Sequence, residues 1–238
     1  MRRNLIYFIY PYAINDEWRK CLKELSDYLA GDIFNGRRII TVALDEYSHS
    51  LSSIREFLAG IDVDYVEVEN NPMLGETPYF LHSLDMVCSL DPGEITFYAH
   101  AKGVSRGKRD VRAITHWRQR MLKHCLEDID HADNIMQAHG VAGCFRRLGS
   151  AQPRVDPPVS WHFSGSYYWL NHARLFNRDW TRIHNSRWGT EAYPAYQFSK
   201  DESFCFYADD FPVSPYTMTR AAQWLQLDEA EKKRPNSV

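Results

Sequence analysis

The chain predicts an α/β fold with a mostly parallel sheet and crossover helices. Two observations carry this. Short runs rich in β-branched and aromatic residues alternate with segments of helical period, giving β-α-β-α-β-α-β over the first hundred residues. The first of these runs is continuously apolar, as a strand covered on both faces is, and the four end on Pro11, Asp45, Asn70 and His100.

Taken in order, Leu5 to Tyr10 reads as a fully buried strand that stops at Pro11. Asn15 can cap the helix that follows, with Asp16 and Glu17 in its first turn. Trp18, Cys21, Leu22, Leu25 and Leu29 then fall at helical spacing before Gly31. Arg38 to Leu44 is a second strand, Leu51 to Leu58 a second helix and Tyr65 to Glu69 a third strand ending at Asn70-Asn71-Pro72. Thr77 to Leu90 is expected to be helical, and Ile95 to Ala99 supplies the strand that delivers His100. A long basic helix with Ile114, Trp117, Met121, Leu122 and Cys125 as its buried stripe comes next. After Val141 the pattern becomes irregular and aromatic, with a strand, a proline-rich loop and the run Trp161 to Trp169.

At 238 residues the chain suits one domain over residues 1–227, with a nucleotide-binding half at 5–135, an acceptor-side half at 136–227 and a charged tail at 228–238. The five cysteines are odd in number and show no Cys-x-x-Cys spacing, which fits reduced core thiols. Arg2-Arg3 ahead of an apolar run imitates the start of a signal peptide. Pro11 interrupts that run, however, and no small-residue cleavage site follows. With no run long enough to span a bilayer, a cytoplasmic protein is expected. P-loop, dinucleotide-fingerprint, nucleophile-elbow and His-x-x-x-His patterns are all missing, which argues against nucleotidase, oxidoreductase, triad-hydrolase and zinc-helix chemistry.

His100-Ala-Lys102-Gly103 is the most telling segment. Open α/β sheets bind ligands at the carboxyl ends of their strands. There Lys102 offers a compact positive charge, and Gly103 lets the backbone approach closely. From Lys102 to His124 eight Lys or Arg side chains face the single Asp110, so an anionic ligand, a phosphate, is implied.

Several pieces in order resemble the GT-A class of nucleotide-sugar glycosyltransferases. They are Ile6 to Pro11, Phe34 to Val42, Phe97 to Gly103, Phe163 to Trp169 and Trp188 to Glu191, spread over residues 5–205. That resemblance implies transfer of a sugar from a nucleoside diphosphate to a hydroxyl of a glycan or other biopolymer. It also exposes a departure: members of the class end this strand in Asp-x-Asp, which holds a divalent metal, and here those positions are His100 and Lys102. A cation can neutralise charge growing on a departing diphosphate directly, so transfer without a metal or other cofactor is expected.

The resemblance places Tyr10, Pro11 and Asn70 at the nucleoside, and His100, Lys102, Gly103 and Arg106 at the diphosphate, with Lys108 and Arg109 in reserve. It places Ser164, Gly165, Ser166 and Trp169 at the sugar and acceptor. Glu191 is the candidate general base of an inverting displacement, because the chemistry needs a carboxylate near the acceptor hydroxyl. Asp201 and Glu202 are its rivals, and a first-turn carboxylate serving a helix dipole is the plain alternative. Trp161, Tyr167, Tyr168 and Trp169 offer stacking faces, although alternating aromatics in a strand are more often core, and about half of them are expected to be buried. Two other readings compete. In one, the basic segment guides a nucleic-acid backbone and the enzyme glycosylates modified DNA bases. In the other, the chain is a non-catalytic glycan- or nucleic-acid-binding module on a degenerate transferase scaffold.

Overall fold

A computed structural model describes residues 1–104, 111–149, 154–208, 222–224 and 226. Arg106, Lys108, Arg109 and the charged tail lie outside the described residues. The first half follows the predicted alternation: β1 (Arg2–Ile9), α1 (Glu17–Leu29), β2 (Arg38–Leu44), α2 (Leu51–Phe57), β3 (Asp64–Glu69), α3 (Thr77–Asp85) and β4 (Glu94–His100). The cap position of α1 is Asp16, one residue later than expected; Asn15 precedes it, its Oδ1 accepting from Glu17 N at 3.0 Å while its Nδ2 donates to Val104 O at 2.9 Å. α3 is shorter than its periodicity suggested. Its end tightens into turns in which Val87 N donates to Leu84 O and Cys88 N to Asp85 O, and the Arg37 guanidinium takes the carbonyl of Met86.

The second half contains α4 (Val111–Leu126), α5 (Ile129–Ala138), β5 (Val141–Cys144), β6 (Arg146–Leu148), β7 (Trp161–Phe163), β8 (Tyr168–Asn171), α6 (His172–Leu175), α7 (Gly189–Gln197) and β9 (Ser203–Tyr207). Together they complete a seven-stranded sheet of order β3-β2-β1-β4-β8-β5-β9, with β6 and β7 as a separate two-stranded ribbon. Every neighbouring pair on the β3 side of β4 is parallel. β8 runs antiparallel to both β4 and β5, and β9 is parallel to β5. The predicted Rossmann-like, mostly parallel α/β architecture is therefore what the chain adopts.

β1, β2 and β4 are covered on both faces, which is why they read as apolar runs, whereas the edge strand β3 carries Glu67 and Glu69 and is not buried. Leu5, Tyr7, Ile9, Phe97, Ala99, Ala142 and Trp169 point into one core with Trp18, Leu22, Trp117, Met121 and Cys125 from α1 and α4. Ile6, Tyr98, Tyr168 and Leu170 point into the other with Phe80 and Leu84 of α3 and Tyr193 of α7. Two arginines of the basic helix are buried within this packing. Arg118 forks onto Glu24 at 2.5 and 2.9 Å, while Arg120 donates to the Trp224 carbonyl at 3.2 Å. The segment is thus no continuous solvated basic face, and the nucleic-acid reading loses two of its eight cations.

Candidate functional site

Chain order creates the site. After β1 the sheet grows outward through β2 to β3, then returns to add β4 on the other side of β1, so the crossovers leaving β1 and β4 part company at their carboxyl ends. A crevice forms at such a reversal. Here it is a cleft of about 270 Å³ whose walls include Phe8, Tyr10, Asn70, Glu76, His100, Lys102, Gly103, Ser166, Arg187, Thr190 and Glu191. Residues from five separate stretches of sequence meet in it.

The β4 end is pinned from three sides. Ala101 N donates to Phe8 O at 2.8 Å, Tyr167 OH donates to His100 O at 2.6 Å, and Arg118 donates to Lys102 O at 3.0 Å. The Lys102 ammonium lies 4.5 Å from the centre of the Trp117 ring. Gly103 is required at its position: its φ is +93°, and a Cβ there would stand 2.7 Å from Ile114 Cγ2.

Two carboxylates flank these cations. Glu76, just before α3, is only 15 % exposed in its side chain. Its Oε1 lies 2.9 Å from His100 Nδ1 and accepts from Thr190 Oγ1 at 2.8 Å. Burial pushes this carboxyl upward. The His100 charge, the hydrogen bonds from His100 and Thr190 and a backbone hydrogen bond overcome it and hold it at about 2. Glu191, in the first turn of α7, is 14 % exposed and accepts from Gly165 N at 3.3 Å. Its carboxyl is raised, because burial outweighs the opposing pull of Lys102, the Gly165 amide and His100. One carboxylate is thus kept ionised and the other is poised to take a proton.

At the opposite end of the cleft the Tyr10 hydroxyl reaches both oxygens of Asp45 at 3.0 Å, and Asn70 Nδ2 donates to Asp45 Oδ2 at 2.7 Å. Burial, followed by this hydrogen bond and the Asp45 charge, raises the Tyr10 phenol. The strand ends of β1, β2 and β3 are thereby tied into one polar shelf.

Seven residues singled out in the sequence line the cleft together: Tyr10, Asn70, His100, Lys102, Gly103, Ser166 and Glu191. Gly165 touches Glu191 through its amide, with φ +104°. The other positions need correction. Pro11 is buried outside the lining and gives its carbonyl to His49 N at 2.8 Å, while Ser164 donates its amide to Phe145 O in the turn behind the cleft. Trp169 is 0 % exposed, packs on Phe34 and Phe97, and gives its ring N–H to Cys125 O at 2.9 Å, so it presents no face to a ligand. Trp161, Tyr167 and Tyr168 are buried as well. The rival carboxylate Glu202 sits in a capping box with Ser199, paired with Arg178, and Asp201 precedes it; both stand ahead of β9 at the amino end of the sheet, away from the cleft.

Sequence reasoning missed Glu76, Thr190, Arg187 and Asp45. Asp45 stands at a strand's carboxyl end as His100 does, and the same rule would have found it. Glu76 lies between Gly75 and the start of a helix, and no spacing distinguishes it from an ordinary first-turn carboxylate. Among the described residues no three His, Cys, Asp or Glu side chains are grouped to hold a metal ion.

No family model matches the chain, and no curated protein matches it. Among solved structures it is similar to a 4-diphosphocytidyl-2C-methyl-D-erythritol synthase, with 10 % identity and a TM-score of 0.43 over 96 % of this chain and 100 % of the other. None of the described helices is long and apolar enough to cross a membrane.

Proposed function

We propose that the chain is a glycosyltransferase that moves a sugar from a nucleoside diphosphate to a hydroxyl of a glycan or other biopolymer, by one inverting displacement without a metal ion. The observation that carries this reading is the placement of Lys102 and His100 beside Glu191 in the crevice between β1 and β4. An ammonium, an imidazole and a carboxylate raised by burial face one space. The nucleoside lies toward Tyr10, Asp45 and Asn70, and the diphosphate lies against His100, Lys102 and the Gly103 backbone. The sugar and the acceptor hydroxyl lie toward Ser166 and Glu191.

In the displacement, the acceptor oxygen attacks the anomeric carbon and its proton passes to Glu191, while the electron pair of the anomeric C–O bond leaves with the diphosphate. Charge on that leaving group is what Lys102 offsets, in a cleft where solvent screening is weak. Burial raises the Glu191 carboxyl, which makes it a stronger base than a free glutamate and suits a group that must take a proton. A glycan-binding module would have no use for a raised carboxyl beside an ammonium, which favours the catalytic reading. The inward turn of Arg118 and Arg120 disfavours a nucleic-acid acceptor.

The test is thermal denaturation of the full chain with UDP-, GDP-, dTDP- and CMP-sugars, each with and without chelator. A donor held at a hundred times its Kd stabilises the fold by about 2.7 kcal/mol. One donor is expected to raise Tm equally in chelator, and Lys102→Ala to remove that rise while leaving the ligand-free Tm in place. A shift that needs manganese or magnesium would reject metal independence, and no shift with any donor would reject the transferase reading.

A further inference from the structure

We propose that Glu76 is a positioning residue: it holds His100 with Nδ1–H directed at its own carboxylate and Nε2 turned to the cleft, where the ring donates a hydrogen bond to the departing diphosphate. This rests on the transferase reading for the identity of the leaving group, though not for the pairing itself. An ionised carboxylate accepts hydrogen bonds and donates none, so the 2.9 Å contact fixes the proton on Nδ1. Thr190 Oγ1, arriving from α7 at 2.8 Å on the same oxygen, keeps Glu76 from rotating away. Tyr167 locks the backbone beneath, through its hydroxyl on the His100 carbonyl, and sets its ring at right angles to the imidazole with centres 6.0 Å apart. The ring is thereby held on both sides of its own Cα, as histidines oriented by a second carboxylate are.

Nε2 has a proton to donate in the imidazolium form, and the charges that face that form come from several elements. Glu76 faces it directly, Glu191 acts on the same space from α7, and a diphosphate adds further negative charge. Lys102 and Arg187 on the cleft wall oppose it, and Tyr167 is held neutral by burial. Glu76 and Glu191 thus divide the work. Glu76, kept ionised, never competes for the acceptor's proton, and Glu191, kept high, takes it. On displacement the anomeric C–O bond breaks with its electron pair on the diphosphate. The new C–O bond forms from the acceptor oxygen, and His100 shares the Nε2 proton with the leaving oxygen without giving it up.

Nitrogen and carbon NMR of the histidine rings in the full chain tests this without any sugar transfer. Neutral His100 is expected as the Nδ1–H tautomer, and observation of the Nε2–H tautomer would overturn the proposal even if no variant folds. Glu76→Gln keeps the shape and removes the charge. It is expected to lower the His100 titration midpoint relative to the unaltered chain, and unchanged midpoints would also overturn the proposal. Inorganic pyrophosphate should raise the midpoint in the unaltered chain but much less in Glu76→Gln; an indifferent His100 signal would reduce the pair to a structural one. A pyrophosphate response without stabilisation by any nucleotide-sugar would sustain the Glu76–His100 phosphate site while rejecting glycosyl transfer.

Discussion

Strands β1 to β4 and strands β5 to β9 place their functional groups by different geometry. In the first set, residues just past the strand ends reach the cleft: Tyr10 after β1, Asn70 after β3, and His100 and Lys102 at and after β4. In the second set, among the described residues, the cleft is reached from the turn between β7 and β8, by Ser166. β8 runs against β4, so that Tyr168 pairs with Tyr98 near the cleft while Asn171 pairs with Ile95 at the far edge. The turn ahead of β8, Gly165-Ser166, therefore faces the ligand space, and the strand itself is core. For a reversed strand the rule about carboxyl ends applies to its amino end.

Glu191→Gln probes this contrast with the largest expected effect, because Glu191 is the second half's one carboxylate on the cleft wall among the described residues. The change keeps the Gly165 contact and removes the proton acceptor. A fall of ~10²–10⁴ in kcat is expected at near-constant donor affinity, read from nucleoside diphosphate release. Trp169→Ala breaks the comparison from the other side. The aromatic run would serve sugar stacking if it faced the cleft, but Trp169 is wholly buried, so the substitution is expected to cost ~3–5 kcal/mol of stability. Donor affinity in the folded fraction should stay unchanged, and denaturant unfolding beside a binding titration separates the two.

Gly103→Ala is expected to be milder. The positive φ and the 2.7 Å approach to Ile114 strain any side chain there, at ~1–3 kcal/mol. Because the same backbone lines the cleft where the diphosphate is proposed to lie, weaker donor binding should accompany the lowered Tm; weaker binding with no change in Tm would deny the strain.

Most of the fold was legible because parallel strands covered on both faces write themselves as apolar runs, and α1, β2 and β4 lie where the sequence placed them to within a residue or two. The β4 end of the cleft was legible for a related reason: His100, Lys102 and Gly103, which line it, are polar or small where a core strand should continue. The aromatic run misled because burial in a reversed strand and exposure in a binding face demand the same residue types. Glu76 and Thr190 were invisible, since their roles depend on a contact across 114 positions that only the packing of α3 beside α7 brings about. Arg118 misled in the opposite sense, its charge reading as surface when Glu24 had already neutralised it in the core.

The far edge of the sheet offers the smallest test. There His172, 0 % exposed, bonds Thr96 Oγ1 through Nε2 at 2.6 Å and stands 3.9 Å from Glu94, which accepts from Asn4 at 2.8 Å. Burial holds the ring down at about 4 against the upward pull of Glu94, and His162 near the cleft is held at about 4 by burial and the Arg147 charge. Both histidines take up a proton on unfolding as pH falls from about 6.5, the ordinary value, toward 4, so the fold loses stability over that window. The ionised carboxylates Glu76 and Glu202, each held at about 2, lose their contribution only below about 4.3, where free glutamate titrates. The two losses therefore separate on the pH axis. His172→Gln is expected to flatten the stability curve between pH ~6.5 and ~4 by about half, and to leave the steeper fall below pH ~4.3 in place. A curve parallel to that of the unaltered chain through the upper window would mean that His172 titrates freely in the folded state, and that the far edge is as open to water as the cleft.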